Sequence, residues 1–193
     1  MVTYAFSGFL ALGLAVAILG RELLMALTPR NHDFWAAAPV IPVVVFAYVL
    51  HGVFLLTSVG IGIEKKARYY PVVTAAAAAT NVGANLLLIP RFGMMGAAWA
   101  TVFSYAVMAG LGFTFSRRLY PIPYEWSRII RVVAAAAGCY LLALLAPEPW
   151  LPAVAVKLLA LAAFPALAVA LGALHPAELE WLKRSLTARS RAL

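Results

Sequence analysis

The sequence predicts an all-α membrane protein, a transmembrane bundle of six spans, and three observations predict it. Hydrophobic residues make up 65% of the 193, charged residues only 11%, and the mean hydropathy is +0.93. A water-soluble domain is about half apolar and a quarter charged. The apolar residues fall in long runs almost free of Asp, Glu, Lys and Arg, and a hydrocarbon core of about 30 Å takes about 20 such residues as a helix. The formal charge of +8 sits in short clusters between those runs, which is a topology signal and not a basic face for nucleic acid.

Taken in order, the first span covers residues 4–27 and carries Arg21 and Glu22 toward its outer end. Met1 to Gly20 holds no Lys or Arg, so the segment lacks the basic region of a signal peptide and reads as a retained span. Apolar sequence begins almost at Met1, and the expectation is a chain that starts partway through something longer. The second span, 36–63, contains no charged residue, and its Pro39 and Pro42 predict kinks. The third, 70–90, includes the helix-forming run Ala75 to Ala79, and the fourth is 94–116. The fifth, 129–146, has Arg131 in its first turn; the sixth, 151–174, carries Lys157 near one end and Pro165 within. None of these runs alternates apolar and polar positions as a barrel strand does, so helices are the reading.

Residues 1–174 thus form the membrane domain and 175–193 a tail. In the tail Leu179, Leu182 and Leu186 share one helical face and Glu180 pairs with Arg184 at i,i+4. This suits an amphipathic cytoplasmic helix along the interface, and a plain solvated tail is the other reading. Lys65, Lys66 and Arg68 lie between spans two and three; Arg117, Arg118, Arg128 and Arg131 lie between four and five; Lys183, Arg184, Arg189 and Arg191 lie in the tail. Only Arg30 and Arg91 occupy opposite links, so the positive-inside rule places both termini in the cytoplasm.

No catalytic constellation is visible. His32, His51 and His175 are scattered, Cys139 is the single cysteine, and neither a phosphate-binding nor a dinucleotide motif occurs. The chain reads as no enzyme, with no cofactor and no metal. Polar groups inside a bilayer are costly and face a cavity or a partner helix. The candidate cavity-lining residues are Arg21, Glu22, His51, Asn81, Asn85, Thr101 and Tyr105. Asn81 and Asn85 share a face, as do Thr101 and Tyr105, both pairs being four apart. Each has a plainer reading beside it: interhelical packing for the Asn pair, burial against a carbonyl for His51, and interfacial reach for Arg21 and Glu22.

Between spans three and four, Pro90 ends a helix, Gly93 permits a turn, and Gly96, Ala97 and Ala98 let the next helix return closely, which predicts a tight helical hairpin. The same string, from Asn81 and Asn85 through Ile89-Pro90-Arg91-Phe92-Gly93 to Gly96-Ala97-Ala98-Trp99-Ala100-Thr101, resembles the C-terminal region of bacterial polysaccharide and O-antigen-type flippases of the multidrug/oligosaccharidyl-lipid/polysaccharide exporter superfamily. Leu23 to Pro29 and Glu64 to Arg68 support it, and the resemblance is strongest over residues 20–120. It implies the last six helices of a fourteen-helix flippase, in the bacterial plasma membrane, moving lipid-linked oligosaccharide for polysaccharide biosynthesis. It implies three partners: membrane lipid, the lipid-linked glycan and a missing N-terminal lobe. The alternatives are a multidrug exporter of the same superfamily and a non-transporting membrane scaffold of a polysaccharide assembly complex, with a lipid-modifying enzyme behind both.

Overall fold

The computed structural model describes residues 2–122, 124–145 and 150–172, and among these the regular structure is entirely helical. The helices are α1 (Val2–Leu27), α2 (Val40–Thr57), α3 (Val59–Ile63), α4 (Tyr69–Leu119), α5 (Trp126–Leu144) and α6 (Trp150–Ala170). Five stretches are long and apolar enough to cross a membrane: α1, α2 with α3, α4, α5 and α6. The protein is therefore an all-α protein of multi-pass membrane character. The tail 175–193, with His175, lies outside the described residues. The chain divides into two compact units, Tyr4–Tyr124 and the part from Glu125 onward.

In the first unit α1 and α2 run antiparallel. Gly13 lies against Val45 and Val49, Gly20 against Ile41, and Gly52 against Phe9. A Cβ on Gly20 would stand 2.6 Å from Ile41 Cγ2, so a small residue sets how closely the helices approach. The connection is a 3-10 turn, His32–Ala37. The His32 and Trp35 rings stack at 4.2 Å, and Trp35 Nε1 donates to the Thr28 carbonyl at 3.3 Å, at the end of α1. The kinks expected from Pro39 and Pro42 are corrected here. Pro39 is the residue preceding α2, with φ −64°, and Pro42 lies in the first turn of α2. There the amide a proline lacks has no helical partner to lose.

The second predicted span is interrupted near its end. α2 stops at Thr57, Ser58 joins it to the five-residue α3, and Thr57 Oγ1 donates back to the Val53 carbonyl at 2.7 Å. α4 is two helical arms, residues 69–92 and 94–119, joined at Gly93, whose φ of 54° and ψ of −130° leave the helical region. The arms return side by side. Ser104 Oγ donates to the Ala77 carbonyl at 2.8 Å, and the Tyr69 and Phe115 rings meet at 4.9 Å. Pro90 does not end the helix as expected. It lies inside the first arm, and the reversal waits for Gly93, the residue whose backbone can leave the right-handed region without a Cβ clash. Gly96 and Ala98 are buried and Ala97 half-buried on the return arm, where any Cβ on Gly96 would collide with the Leu88 carbonyl.

α2 packs on α4 around Phe54, Val73 and Ala109, with Tyr70, Met108, Leu111 and Phe115 against them. Ala47 and Phe54, seven residues apart, are buried to 0% and 5% exposure on one side of α2, and Ile61 of α3 is buried to 0%. Gly112 faces Phe54 so tightly that a Cβ would fall 2.5 Å from its ring.

In the second unit α5 and α6 form an antiparallel pair. Val132, Ala135, Ala136, Cys139 and Ala143 make the buried stripe of α5, and Ala160, Phe164 and Ala168 that of α6. α6 closes on Gly172 at φ 67°, the left-handed cap that favours glycine. Arg131, from the first turns of α5, donates to the carbonyls of Leu171 and Gly172 at 3.3 and 3.4 Å, placing a cation on the negative end of α6.

Candidate functional site

The seven sequence-predicted residues fall into separate groups. His51 on α2 and Tyr105 on the second arm of α4 come together, their ring centroids 4.9 Å apart. Tyr48, one turn before His51, joins them with its ring 5.9 Å from that of Tyr105. His51 and Tyr105 are half-buried, whereas Tyr48 is 55% exposed. Residue-by-residue reading missed Tyr48, although its spacing of three from His51 was the signal that they share a face.

Asn81 and Asn85 bind each other. Asn85 Nδ2 donates to Asn81 Oδ1 at 2.9 Å, and both are half-buried. That bond uses one donor and one acceptor and leaves each amide further capacity. Thr101 spends its hydroxyl on its own helix, donating to the Ala97 carbonyl at 3.0 Å. Arg21 is exposed and Glu22 half-buried in the last two turns of α1. Ser104 supplies the interhelical bond that the Asn pair was expected to supply, three residues beyond Thr101 and buried to 5% exposure.

A second polar group lies where α2, α3 and the end of α4 meet. Tyr70 donates its hydroxyl to the Ser58 carbonyl at 3.2 Å, and Tyr124, in the link after α4, donates to the Thr57 carbonyl at 3.3 Å. Those carbonyls lie at the junction of α2 and α3, and that of Ser58 also accepts the Ile61 amide at 3.0 Å. Ser116 is buried to 2% exposure beside Gly60 and forms a side-chain hydrogen bond with Tyr124. Burial pushes the Tyr124 phenol above its ordinary pKa of 10.0, and the Ser116 bond pulls partly the other way. This group is a structural latch: its hydroxyls are turned to backbone carbonyls and to one another.

Among the described residues no three His, Cys, Asp or Glu side chains converge on a point where a metal ion would sit. Chemically the His51 group can donate and accept hydrogen bonds and offers ring faces; it holds no carboxylate, lysine or arginine. Comparison with protein-family models, curated proteins and solved structures finds no match to this chain.

Proposed function

We propose that the chain is the C-terminal part of a transporter that flips lipid-linked oligosaccharide across the bacterial plasma membrane, crossing it six times with both termini in the cytoplasm. The observation that carries this reading is the polar face halfway along α2 and α4, where Tyr48, His51 and Tyr105 meet. A polar face at that depth fits a polar cargo crossing beside it. The glycan and its lipid anchor follow from the resemblance of the Asn81 to Thr101 string to polysaccharide flippases. The hairpin at Gly93 supports the six-crossing count, since each arm of α4 is itself of spanning length at about 1.5 Å per residue. Charge supports the orientation. Lys65, Lys66 and Arg68 precede the first arm, Arg117 and Arg118 end the second, and the Tyr69 and Phe115 stacking puts those ends together. The missing N-terminal lobe would supply the facing wall of the cavity.

The test is made in cells that carry the gene. Its inactivation is expected to remove surface polysaccharide and to leave lipid-linked oligosaccharide accumulating on the cytoplasmic leaflet, with both restored by the wild-type gene. Unchanged surface glycan, with lost efflux of a cationic dye, would replace the reading with a multidrug exporter.

A further inference from the structure

The three rings sit at the depth where a polar group is most costly. Tyr48 and His51 are 8 and 11 residues from the start of α2 at Val40, about 12 and 17 Å along it. Tyr105 is 11 residues into the arm that begins at residue 94, also about 17 Å along. All three therefore lie near the middle of a hydrocarbon core of about 30 Å. Among the described residues, the Tyr48 and Tyr105 hydroxyls and the His51 ring nitrogens have no hydrogen-bond partner. Each unsatisfied group facing lipid would cost several kcal/mol. Neighbouring threonines, by contrast, satisfy themselves on their own helices: Thr57, Thr80 and Thr101 all donate to carbonyls three or four residues back.

The placement on α2 leaves Tyr48 outside the helix's two packed stripes. Ile41, Val45, Val49 and Gly52 face α1, while Phe54 faces Gly112 of α4 and Ala47, seven residues before it, is buried on the same side. At 100° per residue Tyr48 falls between those two stripes, which is why it keeps 55% of its surface exposed while its neighbour Ala47 keeps none.

The chemistry selects the ligand. Phenol and imidazole rings present flat apolar faces with hydrogen-bonding rims, the complement of a sugar ring, which has an apolar C–H face and a hydroxyl edge. A diphosphate would call for Arg or Lys, and those lie at helix ends such as Lys65, Arg68 and Arg117. A cation would be drawn to the ring faces, but no carboxylate joins the three rings to balance its charge.

We propose that Tyr48, His51 and Tyr105 form a mid-span binding site for a neutral sugar ring. The proposal rests on the glycan-transport reading and narrows it: the rings hold an uncharged saccharide unit, and the diphosphate is held elsewhere.

Two measurements on the full chain in lipid nanodiscs test it. In a Cys139→Ala background, Tyr48→Cys is expected to react with a charged, membrane-impermeant methanethiosulfonate; no reaction, or a Tyr48→Cys disulfide between two copies of the chain, would show lipid or protein covering the face and overturn the site. Saturation-transfer NMR on the wild-type chain is expected to show transfer from aromatic protons to maltotriose. That transfer should fall at least fivefold in Tyr48→Leu/Tyr105→Leu, while Tyr105→Phe, which keeps the ring face, retains most of it. Helical circular dichroism and monodisperse elution identify variants that remain folded. Transfer unchanged in the double leucine variant, or seen to tetramethylammonium and not to maltotriose, overturns the proposal. Surface-glycan assays separate the two readings. Normal glycan export with Tyr48→Leu/Tyr105→Leu sinks the ring site and leaves transport standing, whereas ring-dependent maltotriose binding without any export defect on gene loss sinks transport and leaves the site.

Discussion

Two glycines of α4 show how one residue type carries opposite consequences. Gly93 has φ 54° and ψ −130°, and a Cβ there would meet nothing within 4 Å; Gly83 is an ordinary helical residue with equally open surroundings. Gly93→Ala is therefore a pure backbone penalty of about 1–3 kcal/mol, while Gly83→Ala is expected to stabilise the helix by about 0.5–1 kcal/mol. Thermal unfolding of the purified chain in detergent should lower Tm for the first and raise it for the second; two shifts of the same sign would contradict the turn geometry. Tyr124 makes a prediction in pH. Its folded-state pKa is raised above 10.0, burial being the main cause. The stability this contributes is fully present below pH 10.0 and is lost as pH rises through the higher folded value. Chemical denaturation from pH 8 to 11.5 should show a fall at the alkaline end that is smaller in Tyr124→Phe. The sequence revealed Gly93 because a Pro-x-x-Gly string between apolar runs has few other uses, but it located the end of the arm at Pro90, two residues early. Proline only removes its own N–H from the helical hydrogen bonds; the reversal needs the backbone freedom of glycine. Tyr124 left no trace in the sequence, since its partner Thr57 is 67 positions away.

At the scale of elements, packing of α2 on α4 hinges on Phe54 seated against Gly112. The Cβ of Gly112→Ala would fall 2.5 Å from the Phe54 ring, so overpacking of about 1–3 kcal/mol is expected. Adding Phe54→Leu should recover much of that loss, and an unaltered single variant would show that the helices are not in this register. The long apolar helices were legible, because length and charge exclusion are properties of contiguous sequence. The break at Ser58 was not. The run 36–63 holds no charged residue, and the contacts at its division are tertiary: Tyr70 and Tyr124 donate to the Ser58 and Thr57 carbonyls from elsewhere in the chain. The candidate site was half legible for the same reason. Asn81 and Asn85 were recognised as one face by their spacing, and they do bind each other. That His51 would meet Tyr105, 54 positions later, required knowing that α2 and the second arm of α4 lie side by side.

At the scale of the whole molecule, the proposed six crossings fix which links face the cytoplasm. In a Cys139→Ala background, Arg91→Cys should react with an impermeant thiol reagent on intact cells, while Lys66→Cys and Arg117→Cys should react only after permeabilisation. The reverse pattern would invert the orientation, and equal labelling at Arg91 and Lys66 would deny that the first arm of α4 crosses. Residues 69–92 carry a single charged side chain, Arg91, at their far end, so the arm's apolar length and its polar limits agree.

The reversal at Gly93 also bears on biogenesis. With no connecting loop between its arms, the proposed crossings of α4 would require little more than the Arg91 guanidinium to be moved across the bilayer. The first arm is the more apolar-faced and the less covered of the two, with Val82, Leu86, Leu87 and Phe92 all largely exposed. Under the proposed six crossings the two arms are expected to enter the bilayer as one pair, joined through the Ser104 hydroxyl and the Ala77 carbonyl, rather than as two independent insertions.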